Sequence, residues 1–184
     1  MNDLKFDLRD ITLIPAETSN INSRKECHVL NDGFLPLMAS PMDTVVSDKN
    51  VDIYINNKII PCIPRGVFLN PKNWTTYFSF KSFGLNEIEQ QLNSPFQPYA
   101  FYNYPNILID MANGHMKKLL DIVKEIKTKY PYIKLMVGNV AHPETFINLA
   151  LAGADYVRCS IGTGTGCTTA ANVAINYPLG SLIS

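Results

Sequence analysis

Short apolar runs alternate along this chain with stretches of helical period, and the alternation is clearest in the second half. Ile107–Ile109 is a continuous apolar run ending in Asp110. A run of that kind predicts a strand covered on both faces. From His115 to Tyr130, apolar Leu119, Leu120, Ile122, Val123 and Ile126 recur with lysines between them. That is the period of an amphipathic helix with a solvated opposite face, and Pro131 stops it. Ile133–Val137 predicts the next strand, ending at Gly138-Asn139. Pro143–Ala152 predicts a helix with proline early, where its missing N–H costs nothing, and Gly153 ends it. Asp155–Cys159 predicts a further strand. In the first half, Leu35–Ala39, Ile59–Ile63 and Thr76–Phe80 predict strands. Asp48–Asn56 and Asn86–Asn93 predict helices, the second capped by Asn86 with Glu87 and Glu89 in its first turn. Pro95–Pro105 reads as a loop whose aromatic residues, Tyr99 to Tyr104, serve packing rather than base stacking.

Continuously apolar strands separated by helices imply an α/β protein with a parallel sheet and right-handed crossovers. The predicted layout is an irregular N-terminal arm over residues 1–34, then a partial (β/α) barrel domain over 35–184 with six strands. Polar residues follow several strands: Ser40, Asp110, Asn139 and Ser160. In a (β/α) barrel that rim is where chemistry sits.

Composition narrows the classes. The chain has 184 residues, 46% hydrophobic and 17% charged, with 16 basic and 16 acidic side chains. A net charge of zero offers no footprint for nucleic acid or an anionic membrane. The apolar fraction is too high for a disordered chain. Four cysteines, Cys27, Cys62, Cys159 and Cys167, are too spread for a disulfide framework and lack metal spacing. No signal peptide and no run of membrane-spanning length is visible, so the expectation is a reduced cytoplasmic protein.

The stretch Ser160 to Thr169 carries the strongest chemical signal. Glycines at 162, 164 and 166 alternate with threonines and lead to Cys167. Glycine accepts positive φ, so such a loop can turn N–H groups toward a phosphate or carbonyls toward a monovalent cation. Cys167 is a candidate nucleophile, since a nearby helix start would lower its pKa. The alternative is a glycine-rich turn with an inert cysteine. Asp110 either binds a ribose hydroxyl or a cofactor amide, or shares helix capping with Asn113. Asn139 either binds ligand or serves its turn. Arg158, inside an apolar strand, requires a partner, either a ligand or a structural carboxylate. His115 reads as a solvated histidine at a helix start.

Several segments together resemble the IMP dehydrogenase/GMP reductase family. They are Asp10-Ile11-Thr12-Leu13-Ile14-Pro15, Ser23-Arg24, Ser40-Pro41-Met42-Asp43-Thr44-Val45, Asp110 to Gly114, Gly138-Asn139-Val140, and Ala152-Gly153-Ala154-Asp155 leading into the cysteine loop. Their order and spacing cover nearly the whole chain. The resemblance implies a (β/α)8 TIM barrel, here incomplete, with about six of eight strands. It implies Cys167 as the nucleophile toward C2 of a purine nucleotide monophosphate, with Thr169 assisting proton transfer. Ser40, Met42, Asn139 and Thr165 would bind the nucleotide. Ser23, Arg24, Asp110, Met111, Ala112, Ile161 and Gly162 would bind NADPH, or NAD in the dehydrogenase alternative. Gly162, Gly164 and Cys167 would offer carbonyls to potassium.

About 65 residues separate the Ser40–Asp43 turn from Asp110, leaving no room for an inserted pair of CBS domains. That spacing, and the form of the Asp110–Gly114 segment, favour GMP reductase over IMP dehydrogenase. Threonines stand at 163 and 165 where the family has serine, and Gly166 replaces a larger residue. Asn57-Lys58-Ile59-Ile60 stands where the family carries a Gly-Gly stretch. Strands seven and eight of the family have no counterpart here. The resemblance therefore implies a complementary C-terminal fragment as partner, or a nucleotide-binding module without catalysis. A completed barrel would be expected to form a homo-oligomer, a tetramer.

Overall fold

The computed structural model describes residues 4–68, 77–96, 98–162 and 176–184. Its centre is one six-stranded sheet, parallel throughout, with β1 Met38–Ala39, β2 Ile60–Ile63, β3 Phe80–Phe83, β4 Asn106–Asp110, β5 Lys134–Val140 and β6 Tyr156–Cys159 in sequential order. A doubly wound sheet reverses its order at a switch point. This one never reverses, so it curls in a single sense as an incomplete (β/α)8 barrel.

Alternation along the strands separates two layers. Phe83, Ile107, Ile109, Leu135 and Val137 point outward into the main core. There they meet α2 (Leu85–Leu92), α3 (Tyr99–Asn103), α4 (Lys117–Lys129) and α5 (Pro143–Leu151) through Ile88, Phe101, Leu119, Ile126 and Leu149. Cys62, Phe80, Leu108 and Met136 point the other way and form the barrel-side cluster, with Tyr156 against it. A strand buried on both faces needs both layers apolar, which is why these runs lack polar alternation. A third, smaller cluster joins α1 (Val51–Asn56) to Ile63.

Most predicted elements appear with boundaries moved by a few residues. The exceptions have physical causes. The third strand covers Phe80–Phe83, not Thr76–Phe80. Lys81 and Ser82 disguise it, because a lysine in mid-strand reads as solvated. Here Lys81 is buried, its Nζ donates to the Pro64 carbonyl at 2.5 Å, and it lies over the rings of Phe68 and Phe83 at 5.0 and 5.5 Å. The helix expected to start at Asn86 starts one residue earlier, at Leu85 after Gly84, because the Glu87 carboxylate accepts from the Gly84 N–H. The Pro95–Pro105 loop contains the short helix α3, whose Ala100 and Phe101 are buried, as is Tyr104 beyond it. Phe101 stacks on Tyr130 with centroids 4.5 Å apart, so this aromatic cluster does serve packing.

Between residues 4 and 34 the chain forms two 3-10 turns, Leu8–Asp10 and Arg24–Glu26, with no buried residues in either. The arm is tied down near its start. Phe6 N–H donates to Ser181 Oγ at 2.7 Å, and its carbonyl accepts from Ser181 N–H at 2.9 Å, in α6 (Leu179–Ile183). Gly180 is required there, since a Cβ would sit 2.7 Å from the Phe6 ring. Among the described residues no helix is long and apolar enough to cross a membrane.

Candidate functional site

Asp110, Gly138 and Arg158 occupy one row across β4, β5 and β6, pairing in register as Asp110↔Gly138 and Gly138↔Arg158. The Arg158 side chain reaches past Gly138, and its Nη1 donates to Asp110 Oδ1 at 2.6 Å. The partner that Arg158 requires is therefore a carboxylate two strands away. A Cβ on Gly138 would lie 2.7 Å from the Arg158 carbonyl oxygen and 2.8 Å from its Cβ, and φ there is +145°. Space and backbone both demand glycine.

The loop after β4 is stitched to β5 by backbone. Met111 N–H donates to the Gly138 carbonyl at 2.8 Å, Asn139 N–H to Met111 at 2.7 Å, and Gly114 N–H to Asn139 at 2.8 Å. The β5–β6 register shifts between Gly138 and Val140, an irregularity that re-aims Asn139. Its Nδ2 donates to the Ser160 carbonyl at 3.0 Å, while Ser160 N–H donates to Val140 at 2.7 Å. Ser160 holds φ +90°, Ile161 is buried, and Gly162 holds φ +88°. The chain thus turns sharply off β6 onto the cysteine loop.

His115 is exposed, as expected of a solvated histidine, yet both ring nitrogens have partners. Nε2 accepts from Ala141 N–H at 2.9 Å, and Nδ1 lies 3.0 Å from Thr145 Oγ1. Desolvation, then the nearby His142, lowers its pKa from the ordinary histidine value. Cys62, on the barrel side, is pushed up to about 11 by burial, against the opposing pull of Arg158. Burial likewise raises Cys159. Both thiols are protonated and unreactive at neutral pH.

Beside the Met111–Asn113 loop lies a cleft of about 580 Å³, lined also by Arg65, Asn86, Glu87 and Met116. Arg65 follows directly on Pro64, whose carbonyl Lys81 holds from below. No sequence signal marked Arg65 as a neighbour of this loop. Of the expected site residues, the structure brings Asp110, Met111, Ala112, Asn139, Ile161 and Gly162 to one end of adjacent strands. Ser40 and Met42 lie on the corresponding turn after β1, where Met42 N–H donates to the Ser40 carbonyl at 2.8 Å. Ser23 caps the Arg24–Glu26 turn. Among the described residues no side-chain hydrogen bond or ion pair joins Ser23 or Arg24 to the rim. Gly164, Thr165, Cys167 and Thr169 lie outside the described residues.

Comparison with known proteins agrees with this geometry. Residues 103–184 match the family model described as IMP dehydrogenase / GMP reductase domain. GMP reductase 2 of Bos taurus is 26% identical over 201 residues, covering 96% of this chain and 55% of that protein. GMP reductase of Lactobacillus delbrueckii subsp. bulgaricus is 31% identical over 177 residues, covering 89% of this chain and 52% of that protein. Inosine-5'-monophosphate dehydrogenase of Chlorobaculum parvum is 43% identical over 72 residues, or 39% of this chain. The chain spans about half the length of the reductases it matches. Residues 103–184 thus match the IMP dehydrogenase / GMP reductase domain, and the chain is similar to GMP reductases along most of its length.

Proposed function

We propose that this chain forms the cysteine-bearing part of a GMP reductase-type enzyme, which converts GMP to IMP and ammonia with NADPH as reductant. The observation that carries the reading is the shared rim: Asp110, Met111, Ala112, Asn139, Ile161 and Gly162 stand at the ends of consecutive parallel strands. In a barrel that end is the reactive one.

The Cys167 thiolate adds to C2 of the purine, the 2-amino group leaves as ammonia, and a covalent thioimidate remains. NADPH, when bound, would supply the hydride that C2 takes up, and the Cys167 thiolate then departs. Thr169 assists the proton transfers. Ser40, Met42, Asn139 and Thr165 hold the nucleotide; Asp110, Met111 and Ala112, with Ile161 and Gly162, face the cofactor. The cleft beside Met111–Asn113 suits a dinucleotide, with apolar walls from Leu85, Met111 and Met116 and a cation at Arg65. Arg158 holds the Asp110 carboxylate in one orientation at the rim. Ser23 and Arg24 reach the cofactor of a neighbouring subunit in a tetramer. Carbonyls of Gly162, Gly164 and Cys167 hold potassium. The cytoplasm is the compartment where these substrates and reduced thiols coexist.

Two further β/α units would pair with the β1 and β6 edges to close the barrel. A dehydrogenase acting on IMP with NAD is the second reading, favoured by the 43% identity to the Chlorobaculum parvum enzyme over 72 residues. The test is GMP-dependent NADPH oxidation by the 184-residue chain, alone and co-expressed with the C-terminal half of a reductase relative. Oxidation that needs GMP and is lost in Cys167→Ala supports the proposal. IMP-dependent NAD reduction instead supports the second reading. Silence of the co-expressed pair in both assays overturns both.

A further inference from the structure

Three loops must keep fixed positions for the rim to work, and their fastenings differ in kind. Backbone hydrogen bonds join the β4 loop to β5, and an ion pair joins β4 to β6. The remaining fastening runs through a titratable side chain. His115 sits one residue after Gly114, at the end of the Asp110–Asn113 loop. Its Nε2 accepts from Ala141 N–H at 2.9 Å, just beyond β5, and its Nδ1 lies 3.0 Å from Thr145 Oγ1 on α5.

The chemistry fixes the tautomer. Ala141 N–H is a donor, so Nε2 must present its lone pair. The proton of neutral His115 therefore resides on Nδ1 and is donated to Thr145 Oγ1. A proton on Nε2 turns that acceptor into a donor facing a donor, and the bridge to Ala141 opens. The surroundings oppose that proton. His142 faces the ring from the cap of α5, where its Nδ1 accepts from Glu144 N–H at 3.2 Å. Lys117, from the start of α4, lines the same small cleft as His115 and Thr145. Glu144, in the first turn of α5, is the carboxylate of that element, and β5 ends at the uncharged Val140, with Ala141 just beyond it.

We infer that His115, in its neutral Nδ1–H form, is the positioning residue that fastens the end of the cofactor-facing β4 loop to Ala141 and α5, and that its protonation opens that fastening. The functional arm of this inference rests on the proposed binding of NADPH at the loop; the structural arm does not.

The experiment uses the full 184-residue chain, uniformly labelled, across pH 5 to 8. Imidazole nitrogen shifts report tautomer and titration, and the Ala141 amide reports the bridge. NADPH titrations at the same pH values report the loop. His115→Gln keeps an acceptor near the Nε2 position without titrating; His115→Phe keeps neither. The inference expects an Nδ1–H tautomer and an Ala141 amide shift that follows the His115 titration in the wild type and is flat in His115→Gln. NADPH affinity should fall about five- to tenfold through that titration, as the loss of one hydrogen bond implies. His115→Gln should hold its affinity at low pH, and His115→Phe should be weak throughout. An Nε2–H tautomer, an Ala141 amide indifferent to the titration, or an acid limb retained in His115→Gln would overturn it. If the wild type binds no NADPH at any pH, only the functional arm fails, because the tautomer and the Ala141 amide still decide the clasp.

Discussion

At the scale of single residues, two substitutions separate geometry from charge. Gly138→Ala places a methyl within 2.8 Å of Arg158 backbone and side chain, at φ +145°. Chemical denaturation should show a loss of about 2–4 kcal/mol, with the Asp110–Arg158 bridge broken. Lys81 concerns charge. Burial pushes its pKa down from 10.5 to about 8, with Glu87 pulling the other way. The unfolded chain then holds more protons between pH 8 and 10.5, so stability should rise with pH across that window, and the cost of the buried ammonium is in full force below it. Lys81→Met should flatten that rise and should raise the midpoint of urea unfolding at pH 7, the direction seen when buried ions give way to apolar side chains. A midpoint that falls would mean the contacts of Lys81 with Pro64, Phe68 and Phe83 outweigh its desolvation.

At the scale of elements, α4 owes its place to its apolar face rather than to a cap. Met116 precedes it without a side-chain cap hydrogen bond. Helix α4 buries Leu119, Ile122, Val123 and Ile126 against the outer face of the sheet. Leu119→Ala should cost about 2–5 kcal/mol, read from thermal or denaturant unfolding. Glu87→Ala, removing the carboxylate from the Gly84 N–H, should cost about 1 kcal/mol. The face of α4 was legible in the sequence because its period is regular. β3 was not, because Lys81 and Ser82 are polar by composition and buried by context. Tertiary partners for a lysine ammonium lie 17 residues away, at Pro64, where local pattern holds no information about them.

At the scale of the whole molecule, the sheet of the described residues runs from β1 to β6, and large apolar side chains stand exposed along the arm and β1. Leu13 and Ile14 are each 91% exposed, Leu37 55% and Met38 40%. Such surface favours association. Sedimentation should show an average mass that grows with protein concentration, and a co-expressed complementary half should suppress that growth. A mass independent of concentration would show that these side chains do not drive assembly.

What the sequence determined by itself is whatever depends on neighbours along the chain. The period of α4, the unbroken apolar strands, the proline early in α5 and the glycine after it are short-range facts, and they fixed a parallel α/β sheet and the residues at its rim. Tertiary structure decided what depends on neighbours across it. Arg158 needs a carboxylate, but only the register β4–β5–β6 names Asp110 and explains why the residue between them is Gly138. His115 looks solvated until β5 and α5 bring Ala141 and Thr145 to its two nitrogens. Hydrogen-bond partners 26 to 48 residues apart are selected by folding as a whole, because loop closure brings them together only after the sheet has formed.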